Sequence, residues 1–215
     1  SSDLVSGMKN ILEQSFLGQS LTHEQSYGVM ERIIRGEISA TAIAALFGSL
    51  RTKGETAAEI SGFASALLNE SLSITPKSND IIDTCGTGGD SLGTFNISTA
   101  VAILLGSMGY TIAKHGNRSV SSKSGSYDVL EKLGVPTNLS PTEAIEHLDK
   151  YNFAFLFAPK YHQGFKNIAP IRKELGVRTV FNLLGPLLNP ARASYQILGV
   201  FDKVYVQIMC EALKI

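Results

Sequence analysis

Over roughly the first seventy positions, apolar residues recur at helical spacing. After residue 80 the rhythm changes to short, continuous apolar runs separated by glycines and hydroxyl residues. In the first part, Leu4, Val5, Met8, Ile11, Leu12 and Phe16 fall on one face of a helix from Leu4 to Leu17. Thr22-His23-Glu24-Gln25 is a capping box, in which hydroxyl and amide satisfy each other's backbone donors. It opens a second helix that Gly36 can end. Ser39 is placed to cap a third helix over Ala40–Lys53. Thr56-Ala57-Ala58-Glu59 is another capping box, starting a fourth helix that reaches Glu70.

Residues 71–80, with Pro76 among polar neighbours, read as a linker. Strand and helix signals then alternate. Strands are expected at Asp80–Asp83, Tyr110–Ala113, Phe153–Phe157 and Tyr195–Phe201. Helices are expected at Ser98–Met108, Tyr127–Leu133, Pro141–Tyr151 and Ala169–Leu175, the third opened by Ser140, Pro141 and Glu143 in cap order. Such alternation builds a parallel sheet wrapped by helices. The expected fold class is therefore α/β: a small N-terminal all-helical domain plus a larger α/β domain with a central, mostly parallel sheet. The helical domain is expected over residues 1–73, joined by the 163–180 segment, and the α/β domain over 74–215. The helical pattern that begins at Asp202 stops at Ile215 without a capping glycine, so the α/β domain is expected to be incomplete at its C-terminus.

Charge narrows the partners. Lys plus Arg and Asp plus Glu are 19 each, so no global field selects nucleic acid or an anionic membrane, and anion specificity has to be local. Cys85 and Cys210 have no paired spacing, which argues against a disulfide framework or a zinc knuckle. No apolar run approaches the roughly 18 residues of a spanning helix, and the N-terminal stretch lacks a basic segment followed by an apolar one. The expectation is a cytoplasmic protein.

Two stretches carry the candidate chemistry. In the first, the apolar run Ile81-Ile82 leads through Gly86-Thr87-Gly88-Gly89-Asp90 and Thr94 to Asn96-Ile97-Ser98-Thr99 at a helix start. Glycines let backbone N–H groups approach a phosphate, and a helix N-terminus favours the anion. The dinucleotide fingerprint is not met, because Ser91 stands where its third glycine belongs, and no Gly-Lys-Ser/Thr follows to make a nucleoside-triphosphate loop. A plain strand-to-helix turn would explain the glycines but not the surplus of hydroxyls and amides. In the second stretch, Lys114-His115-Gly116-Asn117-Arg118-Ser119-Val120-Ser121-Ser122 and Ser124-Gly125-Ser126 supply cations and hydroxyl donors suited to a diphosphate, or to a solvated surface loop. Farther on, Arg172 can offer a bidentate clamp to a carboxylate or be an ordinary surface arginine, and His162 follows Ala158-Pro159-Lys160-Tyr161. No metal-ligand cluster and no nucleophile–base pair is evident.

Taken together, Gly86-Thr87-Gly88-Gly89-Asp90, Asn96-Ile97-Ser98-Thr99, Lys114-His115-Gly116-Asn117-Arg118, Ser124-Gly125-Ser126 with Asp128, and Arg178-Thr179 through Asn189-Pro190 resemble the anthranilate phosphoribosyltransferase family, of the nucleoside phosphorylase/phosphoribosyltransferase class II fold. The resemblance covers essentially the whole chain and about the first two thirds of a typical family member. It implies transfer of the phosphoribosyl group of 5-phosphoribosyl 1-diphosphate to anthranilate, the second step of tryptophan biosynthesis from chorismate, with Mg²⁺ as cofactor. By likeness, phosphoribosyl diphosphate would meet Gly86, Gly89, Asp90, Thr94, Asn96, Ile97, Ser98, Thr99, Lys114, His115, Gly116, Asn117, Arg118, Ser119, Val120, Ser121, Ser122 and Ser126. Anthranilate would meet Gly86, Asn117 and Arg172, with His115 and His162 as further candidates, and Ser98 would lie on the metal. The resemblance also implies a homodimer joined through the helical domain. It places the family's acidic metal pair beyond residue 215, and Tyr127 stands where the family commonly has alanine. Two other readings stay open from the residues: a pyrimidine nucleoside phosphorylase, and a non-catalytic nucleic-acid-binding relative of the same fold.

Overall fold

Each helix start that the sequence marks is built by its own cap. In the computed structural model, which describes residues 2–88, 95–118 and 124–215, the Thr22 hydroxyl accepts the Gln25 N–H at 3.1 Å while the Gln25 side chain accepts the Thr22 N–H at 2.9 Å. Thr56 with Glu59 and Ser140 with Glu143 repeat the arrangement. In order, the chain forms helices α1 (Ser2–Phe16), α2 (His23–Ile34), α3 (Ala40–Lys53) and α4 (Ala57–Asn69). Strand β1 (Ile81–Gly86), α5 (Ile97–Ser107), β2 (Thr111–Gly116), α6 (Ser126–Lys132), α7 (Pro141–Tyr151) and β3 (Phe153–Phe157) follow. Last come the short helices α8 (Ala158–Tyr161), α9 (Ala169–Leu175) and α10 (Phe181–Leu184), then β4 (Tyr195–Gly199) and α11 (Val204–Ala212).

The chain divides into two compact units. One consists of residues 1–70, 164–187 and 204–215 and is helical. Its core is the apolar faces of α2, α3 and α4, with Met30, Ile33, Leu46, Phe47, Leu50, Ile60 and Phe63 fully buried. Gly62 lets α4 close on α2: a Cβ there would sit 2.4 Å from the His23 carbonyl oxygen. Beneath the caps, the Glu59 carboxylate is completely buried yet fully engaged. It accepts the Leu21 N–H at 2.8 Å, the Thr56 N–H at 2.8 Å and the Lys53 ammonium at 2.9 Å. A buried charge with that many donors is retained, whereas an unpaired one would be expelled or neutralised.

The other unit, residues 71–163 and 188–203, holds a four-stranded parallel sheet in the order β3-β2-β1-β4. Parallel strands need crossovers, which α5 supplies between β1 and β2, and α6 with α7 between β2 and β3. Ile81, Ala113, Ala154 and Leu156 pack with Leu139, Ala144 and Leu148 into one apolar cluster, and Tyr127, Leu130 and Phe155 form a second.

The strands run farther than the apolar pattern suggests. β1 continues from the expected Asp83 to Gly86, and β2 from Ala113 to Gly116, so Lys114 and His115 belong to a buried strand instead of a basic loop. The sheet hydrogen bonds carry these polar residues inside, and their side chains find partners there. Among the described residues, no helix is long and apolar enough to cross a membrane.

Candidate active site

In an open parallel sheet, ligands gather beyond the C-terminal strand ends. Those of β1 and β2 are neighbours here, and the two polar stretches leave the sheet from them. Gly86 is the last residue of β1, pairing with Gly199 of β4; a Cβ at Gly86 would stand 3.2 Å from the Gly199 oxygen. Thr87 continues the contact, its N–H reaching the Gly199 oxygen at 2.9 Å and its hydroxyl accepting the Phe201 N–H at 2.9 Å. Helix α5 begins at Ile97. Asn96 occupies the cap position without capping. Its side-chain NH₂ instead donates to the Gly125 carbonyl at 3.0 Å, linking the start of α5 to the segment that enters α6. Ile97 is exposed, and Ser98 is half-buried.

Thr99, one residue on, is 1% exposed, and its hydroxyl has no hydrogen-bond partner among the described residues. A buried unpaired hydroxyl costs free energy, so it marks a place where a ligand oxygen would be welcome.

Lys114 is the cation of this corner. It is 1% exposed, and its ammonium donates to the Thr84 carbonyl and lies 3.4 Å from the Ser98 hydroxyl. Burial pulls its pKa below the ordinary lysine value, opposed by Asp83 and Cys85 nearby. Asp83 is itself fully buried. Burial raises its pKa, against the hydrogen bonds it accepts from Asn189, the Gln196 side chain and the His115 N–H. Thr84 fastens α5 to the sheet, its hydroxyl donating to the Ser98 carbonyl at 2.7 Å.

His115 and His162 are both buried and meet edge to face, ring centroids 5.2 Å apart. His162 Nε2 is 2.8 Å from the Leu188 carbonyl oxygen. Gly116 is required by packing, since a Cβ there would lie 2.2 Å from the Ser126 hydroxyl and 2.8 Å from the Phe155 ring. Ser126 donates to the Asn117 carbonyl at 3.3 Å, and the Asn117 side-chain oxygen accepts the Arg118 N–H at 2.7 Å. What Asn117 has left to offer a ligand is its NH₂ donor.

The structure therefore brings Gly86, Asn96, Ile97, Ser98, Thr99, Lys114, His115, Gly116, Asn117, Arg118, Ser126 and His162 into one unit. Gly89, Asp90, Thr94, Ser119, Val120, Ser121 and Ser122 lie outside the described residues. Arg172 belongs to the helical unit, on α9. Its guanidinium carbon stands 5.3 Å from the centroid of the Phe181 ring, partial burial lowers its pKa, and no carboxylate pairs with it among the described residues. The sequence assigns no site role to Thr84, Gln196 and Asn189, whose polar side chains organise the strand ends. Their only signal is a polar residue within or beside an otherwise apolar strand.

For a metal, no group of three His, Cys, Asp or Glu side chains is present among the described residues, and Ser98 is the hydroxyl that the resemblance assigns to it. Magnesium asks for about six oxygens and keeps several waters. The chemistry at Ser98 thus fits the ion only as one protein donor beside the oxygens of a bound diphosphate and water.

Residues 78–215 match the model of the glycosyl transferase family, a/b domain, and residues 9–71 that of the glycosyl transferase family, helical bundle domain. The chain belongs to this glycosyl transferase family. Within it, the chain is similar to anthranilate phosphoribosyltransferases. It is 50% identical over 206 residues to that of Halalkalibacterium halodurans, covering 96% of this chain and 60% of the relative. The crystal structure of the Thermus thermophilus enzyme superposes with a TM-score of 0.90 at 41% identity, over 95% of this chain and 62% of that one. The Saccharomyces cerevisiae enzyme, solved in complex with PRPP and Mg, superposes with a TM-score of 0.85 at 30% identity, over 99% and 62%. The chain thus spans about three fifths of the length of these relatives.

Proposed function

We propose that this chain carries the phosphoribosyl-diphosphate-binding part of an anthranilate phosphoribosyltransferase. The reaction joins anthranilate to the ribose of 5-phosphoribosyl 1-diphosphate, giving N-(5-phosphoribosyl)anthranilate and diphosphate, the second step of tryptophan biosynthesis from chorismate. The observation that carries this reading is the corner where α5 begins. There the buried Lys114 ammonium lies 3.4 Å from the Ser98 hydroxyl beside a helix N-terminus, and the next residue, Thr99, has a buried hydroxyl without a partner among the described residues. The comparisons favour neither a pyrimidine nucleoside phosphorylase nor a nucleic-acid-binding relative.

In the reaction, the bond from the anomeric carbon to the diphosphate oxygen breaks and a bond to the anthranilate nitrogen forms. The amine then releases one proton. An aromatic amine is largely unprotonated at neutral pH, so the site needs no strong base, in keeping with a corner rich in donors. The protein's task is to stabilise the departing diphosphate and align the amine. Ser98, Thr99 and the α5 N-terminus hold diphosphate oxygens, with Lys114 supplying positive charge. Asn96, Gly86, Asn117 and Ser126 shape the space at the two strand ends. Arg172, a half-buried cation with no carboxylate partner among the described residues, takes the anthranilate carboxylate. Mg²⁺, when bound, neutralises diphosphate oxygens, with Ser98 as one ligand. The enzyme works as a cytoplasmic homodimer joined through the helical domain.

The test is a substrate panel with product identification by mass. The proposal expects N-(5-phosphoribosyl)anthranilate from anthranilate, 5-phosphoribosyl 1-diphosphate and Mg²⁺. It expects no base release from thymidine or uridine with phosphate. The reverse pattern would assign the chain to nucleoside phosphorolysis instead.

A further inference from the structure

The end of β2 leads into a second cation, Arg118. Arg118 is half exposed, but its guanidinium is already engaged on helix α6. Its central carbon stands 3.9 Å from the centroid of the Tyr127 ring. Nη1 is 3.6 Å from Asp128 Oδ1, and Nη2 is 3.4 Å from Glu131 Oε1. The ring beneath it is held by the sheet. Tyr127 is 8% exposed and packs against Phe157 at 4.6 Å and Phe155 at 6.1 Å between centroids. The acid beside it is held too, since Asp128 Oδ2 accepts the Gly125 N–H at 2.7 Å. A phosphate approaching Arg118 would have to compete with two carboxylates and an aromatic face.

The same few residues fasten Asn117. The Tyr127 N–H and the Ser126 hydroxyl both donate to the Asn117 carbonyl at 3.3 Å, and the Arg118 N–H closes on the Asn117 side-chain oxygen at 2.7 Å. Holding the arginine on Tyr127 therefore also holds the Asn117 amide with its NH₂ as the end left for a ligand.

We propose that Tyr127 is a positioning residue: its ring clasps Arg118 to α6, and the clasp fixes Asn117 for substrate instead of presenting the guanidinium to phosphate. This rests on the phosphoribosyl-transfer reading above. It differs from what the sequence suggests for Arg118, which by pattern reads as one more phosphate cation.

A double-mutant cycle on 5-phosphoribosyl 1-diphosphate binding with Mg²⁺, followed by titration calorimetry, tests it. Tyr127→Leu removes the ring and Arg118→Lys keeps the charge but loses the flat stacking surface. Each is expected to weaken binding by about two- to fivefold, the range of an exposed cation–π contact. The double variant should be no weaker than either single one, because both break one contact. Tyr127→Phe keeps the ring and should bind within about twofold of the unaltered chain. An independent signature is the Arg118 Nε–H proton resonance. The clasp predicts a ring-current shift of that proton in the unaltered chain and in Tyr127→Phe, and its loss in Tyr127→Leu.

Losses that multiply in the double variant, or Arg118→Lys binding as well as the unaltered chain, would overturn the clasp and return Arg118 to direct phosphate contact. An unaltered chain that binds no 5-phosphoribosyl 1-diphosphate would instead sink the functional reading. The proton shift would still judge the contact between Arg118 and Tyr127.

Discussion

Arg172→Ala probes the anthranilate side of the proposed site. Arg172 lies on the seven-residue helix α9, half-buried, its guanidinium near the Phe181 ring and without a carboxylate partner among the described residues. Burial lowers its pKa, but an arginine so placed remains charged at neutral pH. A half-buried guanidinium without a carboxylate partner among the described residues gains more from a substrate carboxylate than a fully solvated one would. A hydrogen bond to a charged group contributes about 1.5–3 kcal/mol. Losing a two-pronged contact should therefore raise the KM for anthranilate by about ten- to a hundredfold, at 1.4 kcal/mol per decade. The KM for 5-phosphoribosyl 1-diphosphate should move little, since that ligand is assigned to the residues at the start of α5. Arg172→Lys, with the charge but not the fork, should fall between. Steady-state kinetics varying each substrate in turn measure this, with circular dichroism confirming the fold. An unchanged KM for anthranilate, or equal increases for both substrates, would refute the carboxylate clamp.

Three further outcomes follow from the packing. Thr99→Val removes a buried hydroxyl that has no partner among the described residues. The unliganded protein should unfold no earlier, and up to about 1 kcal/mol later, while affinity for 5-phosphoribosyl 1-diphosphate falls. Equal affinity by calorimetry would mean that the hydroxyl is idle. Gly116→Ala forces a methyl against the Ser126 hydroxyl and the Phe155 ring, so thermal unfolding should show a loss of about 1–3 kcal/mol, with weaker diphosphate binding. A neutral result would show that α6 can move aside freely. Glu59→Leu leaves the Lys53 ammonium and two backbone donors without their shared acceptor, and denaturant titration should lose about 3–5 kcal/mol in the helical unit. A change below 1 kcal/mol would contradict the view that this carboxylate organises the α2 and α4 starts.

Much of this fold is legible in the sequence where local chemistry and periodicity agree. The boxes at Thr22, Thr56 and Ser140 close as written, and Pro141–Tyr151 and Phe153–Phe157 form with the expected ends. The strand ends are harder to see, because Lys114 and His115 look like loop residues until the sheet buries them. The short helices Ala158–Tyr161 and Phe181–Leu184 span a single turn, too little for a period to show. The candidate site is legible as residue types but not as partners. Lys114 and Arg118 read as loop cations for a diphosphate or for solvent; Lys114 is a buried strand residue beside Ser98, and Arg118 is engaged by Tyr127, Asp128 and Glu131. Asn96 reads as one of several polar residues at a helix start, and it reaches across to Gly125. In each case the sequence names a donor, and only tertiary packing decides what receives it.

The most direct measurement mixes the chain with anthranilate, 5-phosphoribosyl 1-diphosphate and Mg²⁺, following anthranilate fluorescence and diphosphate release together. The account predicts that fluorescence is lost in step with diphosphate appearing, one for one, and that Lys114→Met slows both. Diphosphate release without loss of anthranilate, or a folded chain that binds no 5-phosphoribosyl 1-diphosphate, would contradict it.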